Sequence, residues 1–166
     1  MKFKNVPIDY RRLTQADWDT IQEVAHGFYV EVGTFHGASA CAASTNADIV
    51  HTIDIFDWKP KVYDNKKNIK FFKGTSVDYV SNGPSRSDPI DTLFIDGSHE
   101  YDSVLKDCET LIPLVKPGGI ILFHDYNKDN PITGVYTAVN KYLENLLHTN
   151  FGKVPGGANM LRIQKL

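Results

Sequence analysis

The sequence predicts an α/β fold: a doubly wound, mostly parallel sheet finished by an antiparallel C-terminal hairpin. Three observations carry this. Strand-like and helix-like stretches alternate along the chain. A glycine turn, Gly33 to Gly37, joins a buried strand to a helix of small residues. Acidic and hydroxyl side chains recur at the C-terminal ends of strands, where such sheets bind ligands.

Residues 1–13 read as an irregular lead-in, followed by a helix with Thr14 as N-cap and Asp17 near the positive end of its dipole. Trp18, Ile21, Val24 and Ala25 form its apolar stripe, and Gly27 suits the position just past its end. The chain is thus one domain, with residues 1–27 preceding a core of 28–166. Phe28 to Val32 is aromatic and β-branched except at Glu31, as a central strand would be. Gly33 and Gly37 allow positive φ and close approach to a ligand, and Ala38 to Ala42 let the next helix pack tightly. Asp48 to Asp54 is a second strand. A crossover helix is expected next, yet Asp57-Trp58-Lys59-Pro60 and Tyr63-Asp64-Asn65 read as loop or a helix fragment. Ile69 to Lys73 is a third strand, ending in Gly74-Thr75-Ser76. A brief helical turn over Val77 to Val80 follows, then a loop at Ser81-Asn82-Gly83-Pro84-Ser85.

The fourth strand is Ile90 to Asp96. A helix over Tyr101 to Val115 carries Val104, Leu105, Cys108, Leu111 and Ile112 on one side, and Lys116-Pro117-Gly118-Gly119 stops it. Ile120 to Phe123 is the fifth strand, ending at His124-Asp125-Tyr126. A helix over Thr133 to Leu147 and a hairpin over Phe151 to Leu166, turning at Pro155-Gly156-Gly157, complete a compact Rossmann-like arrangement.

The bulk properties narrow the partners. A chain of 166 residues supports one domain with one core. A net charge of −2 makes no electrostatic case for nucleic acid or an anionic membrane, and Lys66, Lys67, Lys70 and Lys73 read as a solvated edge. No apolar run is long enough to span a bilayer, and the N-terminus lacks a signal-peptide core. Cys41 and Cys108, without a CxxC pair, fit a reducing, cytoplasmic setting.

Asp54 follows the glycine turn by about twenty residues, the spacing at which an acid meets a ribose diol. The dinucleotide fingerprint GxGxxG is absent. A pyrophosphate prefers a cradle without an acid, whereas Glu31 suits a cationic amino group. The pair favours S-adenosylmethionine, with its ribose, ammonium and sulfonium, over NAD. Around these residues, Phe28 to Leu166 resembles a class I S-adenosylmethionine-dependent methyltransferase, and within that class the catechol-type and macrocin-type small-molecule O-methyltransferases. The stretch from Glu31 to Ser39 matches their first motif. Ile95-Asp96-Gly97-Ser98-His99-Glu100-Tyr101 and Phe123-His124-Asp125-Tyr126 match the macrocin type.

The resemblance implies roles. Gly33, Thr34, Phe35 and Ser39 would line the methionine end of the cofactor. Asp54 would take the ribose hydroxyls, Ile55 and Ser76 would flank the adenine, and Glu31, Gly37, Thr75 and Asp96 would also belong to the cofactor site. Asp96 and Asp125 would hold a divalent metal, and His99 would be the general base. Some residues depart from the pattern. Tyr126 stands where the catechol type has an amide, His99 where it has a lysine, and His124 where the macrocin type often has an acid.

The residues make a related argument without the resemblance. Neighbouring strands lie about 4.8 Å apart, so acids ending strands four and five can share a hard cation such as Mg²⁺. That cation would lower the pKa of an acceptor hydroxyl, and His99 would remove the proton near neutral pH. Plainer roles stay open. Asp96 and Asp125 could cap turns, and His124 could ligate the ion or hydrogen-bond in the crevice. His36 is expected to point outward, and Trp58, Tyr63 and Tyr126 to rim the substrate site or simply pack. The expectation is a metal-assisted O-methyltransferase acting on a hydroxyl of a small molecule or sugar. The alternative is a non-catalytic S-adenosylmethionine- or nucleotide-binding module or partner subunit. An uncovered sheet face near residues 55–68 suggests a homo-oligomer.

Overall fold

The computed structural model describes residues 13–58, 65–83, 88–129, 134–144, 146, 151–154 and 160–166. The readings at Lys59, Pro60, Tyr63, Asp64, Pro84, Ser85, Thr133, Leu147 and Pro155 to Gly157 lie outside them. One sheet contains β1 (Phe28–Val32), β2 (Ile49–Asp54), β3 (Ile69–Lys73), β4 (Ile90–Ile95), β5 (Val115–Phe123), β6 (Phe151–Val154) and β7 (Leu161–Lys165). Its order is β3-β2-β1-β4-β5-β7-β6. The first five strands are parallel, and β7 runs antiparallel to both β5 and β6, as the predicted hairpin requires. The order reverses between β1 and β4, so the crevice lies beyond Val32 and Ile95.

The helices are α1 (Gln15–Val24), α2 (Ala38–Ala43), α3 (Ser76–Asn82), α4 (Tyr101–Leu111) and α5 (Val135–Glu144). Alternation along the strands sorts side chains onto two faces. Tyr29, Val50, Phe94 and Leu122 pack with Trp18, Ile21 and Val24 of α1 and with the alanines of α2. Val30, Leu93, Ile121 and Phe123 pack with Val104, Cys108 and Leu111 of α4 and with Val135, Val139 and Leu143 of α5. These are the two covered faces of a doubly wound sheet. Burial keeps both cysteines as thiols and pushes Cys41 up to about 11. No helix among the described residues is long and apolar enough to cross a membrane.

Several element ends differ from the sequence expectation. The helix expected to run to Val115 stops at Leu111. A single 3₁₀ turn, Ile112–Leu114, follows, because Pro113 cannot donate into another α-turn. Val115 already pairs with Ile90, and Lys116-Pro117-Gly118-Gly119 is a bulge inside β5 before Ile120 pairs with Thr92. The Lys116 ammonium pairs with Asp91, whose carboxylate also accepts the Phe28 N–H at 2.7 Å. The predicted turn over Val77 to Val80 is a full helix through Asn82, because Thr75 and Asp78 form a capping box at its start. No helix forms among the described residues between β2 and β3.

Candidate functional site

Gly33 ends β1 with φ 97, and its N–H donates to Ile53 at 2.8 Å. A Cβ there would overlap the Asp96 carbonyl oxygen, so only glycine lets the turn after β1 lie against the end of β4. Gly37, φ 80, donates to the Thr34 carbonyl at 2.7 Å and opens α2. Phe35 between them also has a positive φ, 41°, a conformation a phenylalanine holds only under constraint. Beneath this turn Glu31 is fully buried. It accepts from the Thr52 hydroxyl at 2.7 Å and the Tyr29 hydroxyl at 3.1 Å, and Ser39 also hydrogen-bonds it. Thr34 bonds Thr52 in the same network. Burial pushes the Glu31 carboxyl up to about 8, against the pull of these hydrogen bonds. The side chains of Thr34 and Ser39 are thus engaged with the buried Glu31 network, at a cleft that both residues line together with Leu13, Gly33, Phe35, Ala38 and Asp96.

Asp54, at the end of β2, ties two loops together. One oxygen accepts the Phe35 N–H at 3.0 Å and the other the Phe56 N–H at 2.9 Å. Beside it stands an aromatic shelf that the sequence did not single out as a unit. The Phe35 ring lies 3.9 Å from that of His36 and 5.1 Å from Trp58, with Phe56 against Trp58 at 5.9 Å. His36 therefore packs rather than simply pointing outward. Ile55 and Phe56 stay exposed, at 57% and 61%. Thr75 and Ser76 are occupied elsewhere. Thr75 caps α3, and the buried Ser76 hydroxyl donates to Asp107 of α4 at 2.6 Å. Replacing Thr75 with alanine is expected to cost about 1 kcal/mol of stability, measured by urea unfolding.

The ends of β4 and β5 bring together Asp96, His99, His124 and Asp125. Along β5, Leu122 and His124 share the α1 face, so the imidazole enters the core between α1 and Asp96. Asp125 has φ 53, a left-handed conformation that turns its carboxylate back toward both histidines. His124 Nδ1 lies 3.1 Å from Asp125 Oδ2 and 3.3 Å from Asp96 Oδ1. His99 Nε2 lies 3.1 Å from that same Asp125 oxygen.

The charges follow from this layout. Burial disfavours the His124 cation, but the carboxylates of Asp125, Asp17 and Asp96 gathered around it outweigh that cost and push the ring up to about 12. Hydrogen bonds from His124 and His99 hold Asp125 well below the usual carboxylate range. Burial raises Asp96 despite His124 beside it, and the Asp125 hydrogen bond raises His99.

The donor set suits a divalent cation. One ligand atom from each of Asp96, His124 and Asp125 lies within 4.8 Å of the others. Two carboxylates and an imidazole are ordinary ligands for such an ion. His124 Nδ1, within reach of both carboxylates, marks where positive charge is stabilised. Sequence reasoning missed Asp17, whose Oδ2 lies 3.6 Å from His124 Nε2. Its capping position in α1 was legible, but its approach to β5 was not. Tyr126 packs its ring 4.9 Å from Tyr136 and donates to Asn140 at 3.0 Å.

A methyltransferase-domain family profile matches residues 30–126. An uncharacterized protein of Acanthamoeba polyphaga mimivirus is 32% identical over 132 residues, covering 71% of this chain. The chain spans 60% of that relative's length. Among solved structures, the O-methyltransferase NovP superposes with a TM-score of 0.74 at 17% identity, over 94% of this chain and 82% of that one. An O-methyltransferase from Bacillus cereus, in complex with S-adenosylhomocysteine, gives 0.70 at 15% identity over 97% and 85%. An rRNA methylase from Streptococcus thermophilus gives 0.67 at 15% identity over 90% and 93%. At these identities the three structures establish the shared class I methyltransferase fold.

Proposed function

Because the chain belongs to the methyltransferase-domain family, we propose that it transfers a methyl group from S-adenosylmethionine to a hydroxyl of a small molecule or sugar. The convergence of Asp96, His99, His124 and Asp125 beside the Gly33 turn carries this reading. The fold-level likeness to two O-methyltransferases supports it. The net charge of −2 favours a small acceptor over RNA, and two buried free thiols suit a cytoplasmic setting.

The turn from Gly33 to Gly37, with Glu31 beneath it and Thr34, Phe35 and Ser39 around it, would hold the methionine end of the cofactor. Asp54 retains acceptor capacity on both oxygens for a ribose diol. The exposed Ile55 side chain and the Thr75–Ser76 strand end would border the adenine. Asp96, His124 and Asp125 would hold a divalent cation, with Mg²⁺ the first choice for its carboxylates. When bound, such an ion lowers the pKa of an acceptor hydroxyl. His99, half-exposed at the edge of this cluster, would take the acceptor proton, with Asp125 orienting its ring and stabilising the imidazolium. Fixing donor and acceptor in line supplies much of the remaining rate.

The test is thermal unfolding with and without S-adenosylhomocysteine. Ligand at about a hundred times its Kd adds roughly 2.7 kcal/mol, an upward shift of about 5–10 °C in a domain of this size. The shift is expected to vanish in Asp54→Ala. No shift at millimolar ligand would remove the cofactor assignment. A shift without turnover on any hydroxyl acceptor would favour a binding module.

A further inference from the structure

We infer that Asp17 is a positioning residue for His124: a carboxylate on α1 that holds the imidazole at Nε2 and leaves Nδ1 facing Asp96 and Asp125. The inference deepens the metal-assisted reading of this site and rests on it only for cation affinity. Residue 17 lies outside the span that the family profile matches.

Asp17 is fully buried, a rare state for a carboxylate without a specific partner. Its Oδ2 accepts the Thr14 N–H at 2.9 Å and the Thr14 hydroxyl at 2.6 Å, closing the capping box of α1. Capping does not explain the burial. Thr75 and Asp78 form the same box at α3 with both residues exposed. The difference is what lies behind. Asp17 Oδ2 is 3.6 Å from His124 Nε2, slightly beyond a direct hydrogen bond. Both Asp17 Oδ1 and His124 Nε2 are buried without another hydrogen-bond partner. The carboxylate therefore faces the ring at 3.6 Å through Oδ2, while its Oδ1 and the ring's Nε2 are each left without a partner. A small shift of either side chain closes a bond between the two groups, and leaving them unmet in the core is costly.

The chemical consequence follows from the two nitrogens of one ring. A carboxylate at Nε2 fixes the ring plane and keeps the Nε2 proton in place. Nδ1 is then the nitrogen offered to the strand-end acids, or to a cation between them. His124 has no other means of orientation at Nε2 among the described residues. The N-terminal helix therefore completes a cluster whose other members, Asp96, His99, His124 and Asp125, follow the ends of β4 and β5.

The experiment compares wild type, Asp17→Asn and Thr14→Ala. Thr14→Ala removes the cap hydroxyl but leaves the carboxylate beside His124. Ring resonances of His124 are read by ¹⁵N NMR in the metal-free protein and assigned by their loss in His124→Gln. Wild type should show a slowly exchanging, hydrogen-bonded Nε2–H. Asp17→Asn should move that signal and speed its exchange, and Thr14→Ala should leave it in place. Mn²⁺ affinity, measured by electron paramagnetic resonance, should fall about 10–100-fold in Asp17→Asn alone. A freely exchanging Nε2–H in wild type overturns the inference whatever Asp17→Asn and Thr14→Ala do. Equal changes in Asp17→Asn and Thr14→Ala also overturn it, as a purely structural role would produce them. If wild type binds no Mn²⁺, the metal reading fails, and the ring signal alone decides Asp17.

Discussion

Replacing His99 with alanine is expected to lower kcat for methyl transfer by about 10²–10⁴-fold, the usual contribution of a positioned general base. The substitution should leave the unfolding midpoint and the S-adenosylhomocysteine-induced shift nearly unchanged. Its imidazole is 49% exposed, so little packing is lost. The backbone that carries it is held independently. The Gly134 N–H donates to the His99 carbonyl at 2.7 Å, and a Cβ at Gly134 would overlap the Tyr101 amide. The loop therefore keeps its course without the ring. A base that acts only in the transition state is felt in kcat far more than in KM. Steady-state kinetics on the first acceptor found would check this. A loss of less than about threefold would assign proton removal elsewhere, and EDTA-insensitive turnover would remove the cation from the site.

The second large effect is on stability, and it depends on pH. Glu31 is fully buried, with its carboxyl raised to about 8 by that burial. In the unfolded chain the same group titrates near 4.5. Below that value both states carry the proton, and the protonated network contributes fully. Between 4.5 and 8 the unfolded chain has lost its proton and the folded chain has kept it. Stability attributable to Glu31 therefore falls as pH rises through this window and levels off above it. The total is on the order of 5 kcal/mol. Glu31→Gln cannot lose a proton there, and its amide can still meet the Thr52 and Tyr29 hydroxyls. The difference between wild type and Glu31→Gln, measured by urea unfolding from pH 4.5 to 8.5, should shrink or reverse in favour of the variant at high pH. A flat difference would show that the carboxylate is already ionised at neutral pH and stabilised by its hydroxyl partners. Bound cofactor should reduce the slope if its ammonium stabilises the ionised form.

The strands show where local pattern suffices. β1 and β3 begin and end where the residues predict, because β-branched and aromatic runs bounded by glycine or polar residues specify a strand locally. The N-cap at Thr14 was equally legible, since it depends on a side chain reaching three residues along the chain. The errors also have a local origin. Pro113 ended a helix that apolar periodicity would have continued, and a glycine pair after it read as a stop when pairing with β4 makes it a bulge. The candidate site divides in the same way. The turn at Gly33 and Gly37, Asp54, and the strand-end residues Asp96, His99, His124 and Asp125 follow from topology once strands and helices alternate.

By itself, the sequence determined the alternation of elements, the glycine turn, and the placing of acids and histidines at the ends of parallel strands. These depend on side-chain size, backbone freedom and a two-residue strand period, all short-range properties. Only the tertiary structure decided which of those groups meet. It turned Thr34 and Ser39 inward onto Glu31, committed Ser76 to Asp107, assembled Phe35, His36, Phe56 and Trp58 into one shelf, and brought Asp17 behind His124. The reason is physical: a buried carboxylate or hydroxyl takes whichever partner packing puts within reach. That partner comes from another element, whose approach no local pattern encodes.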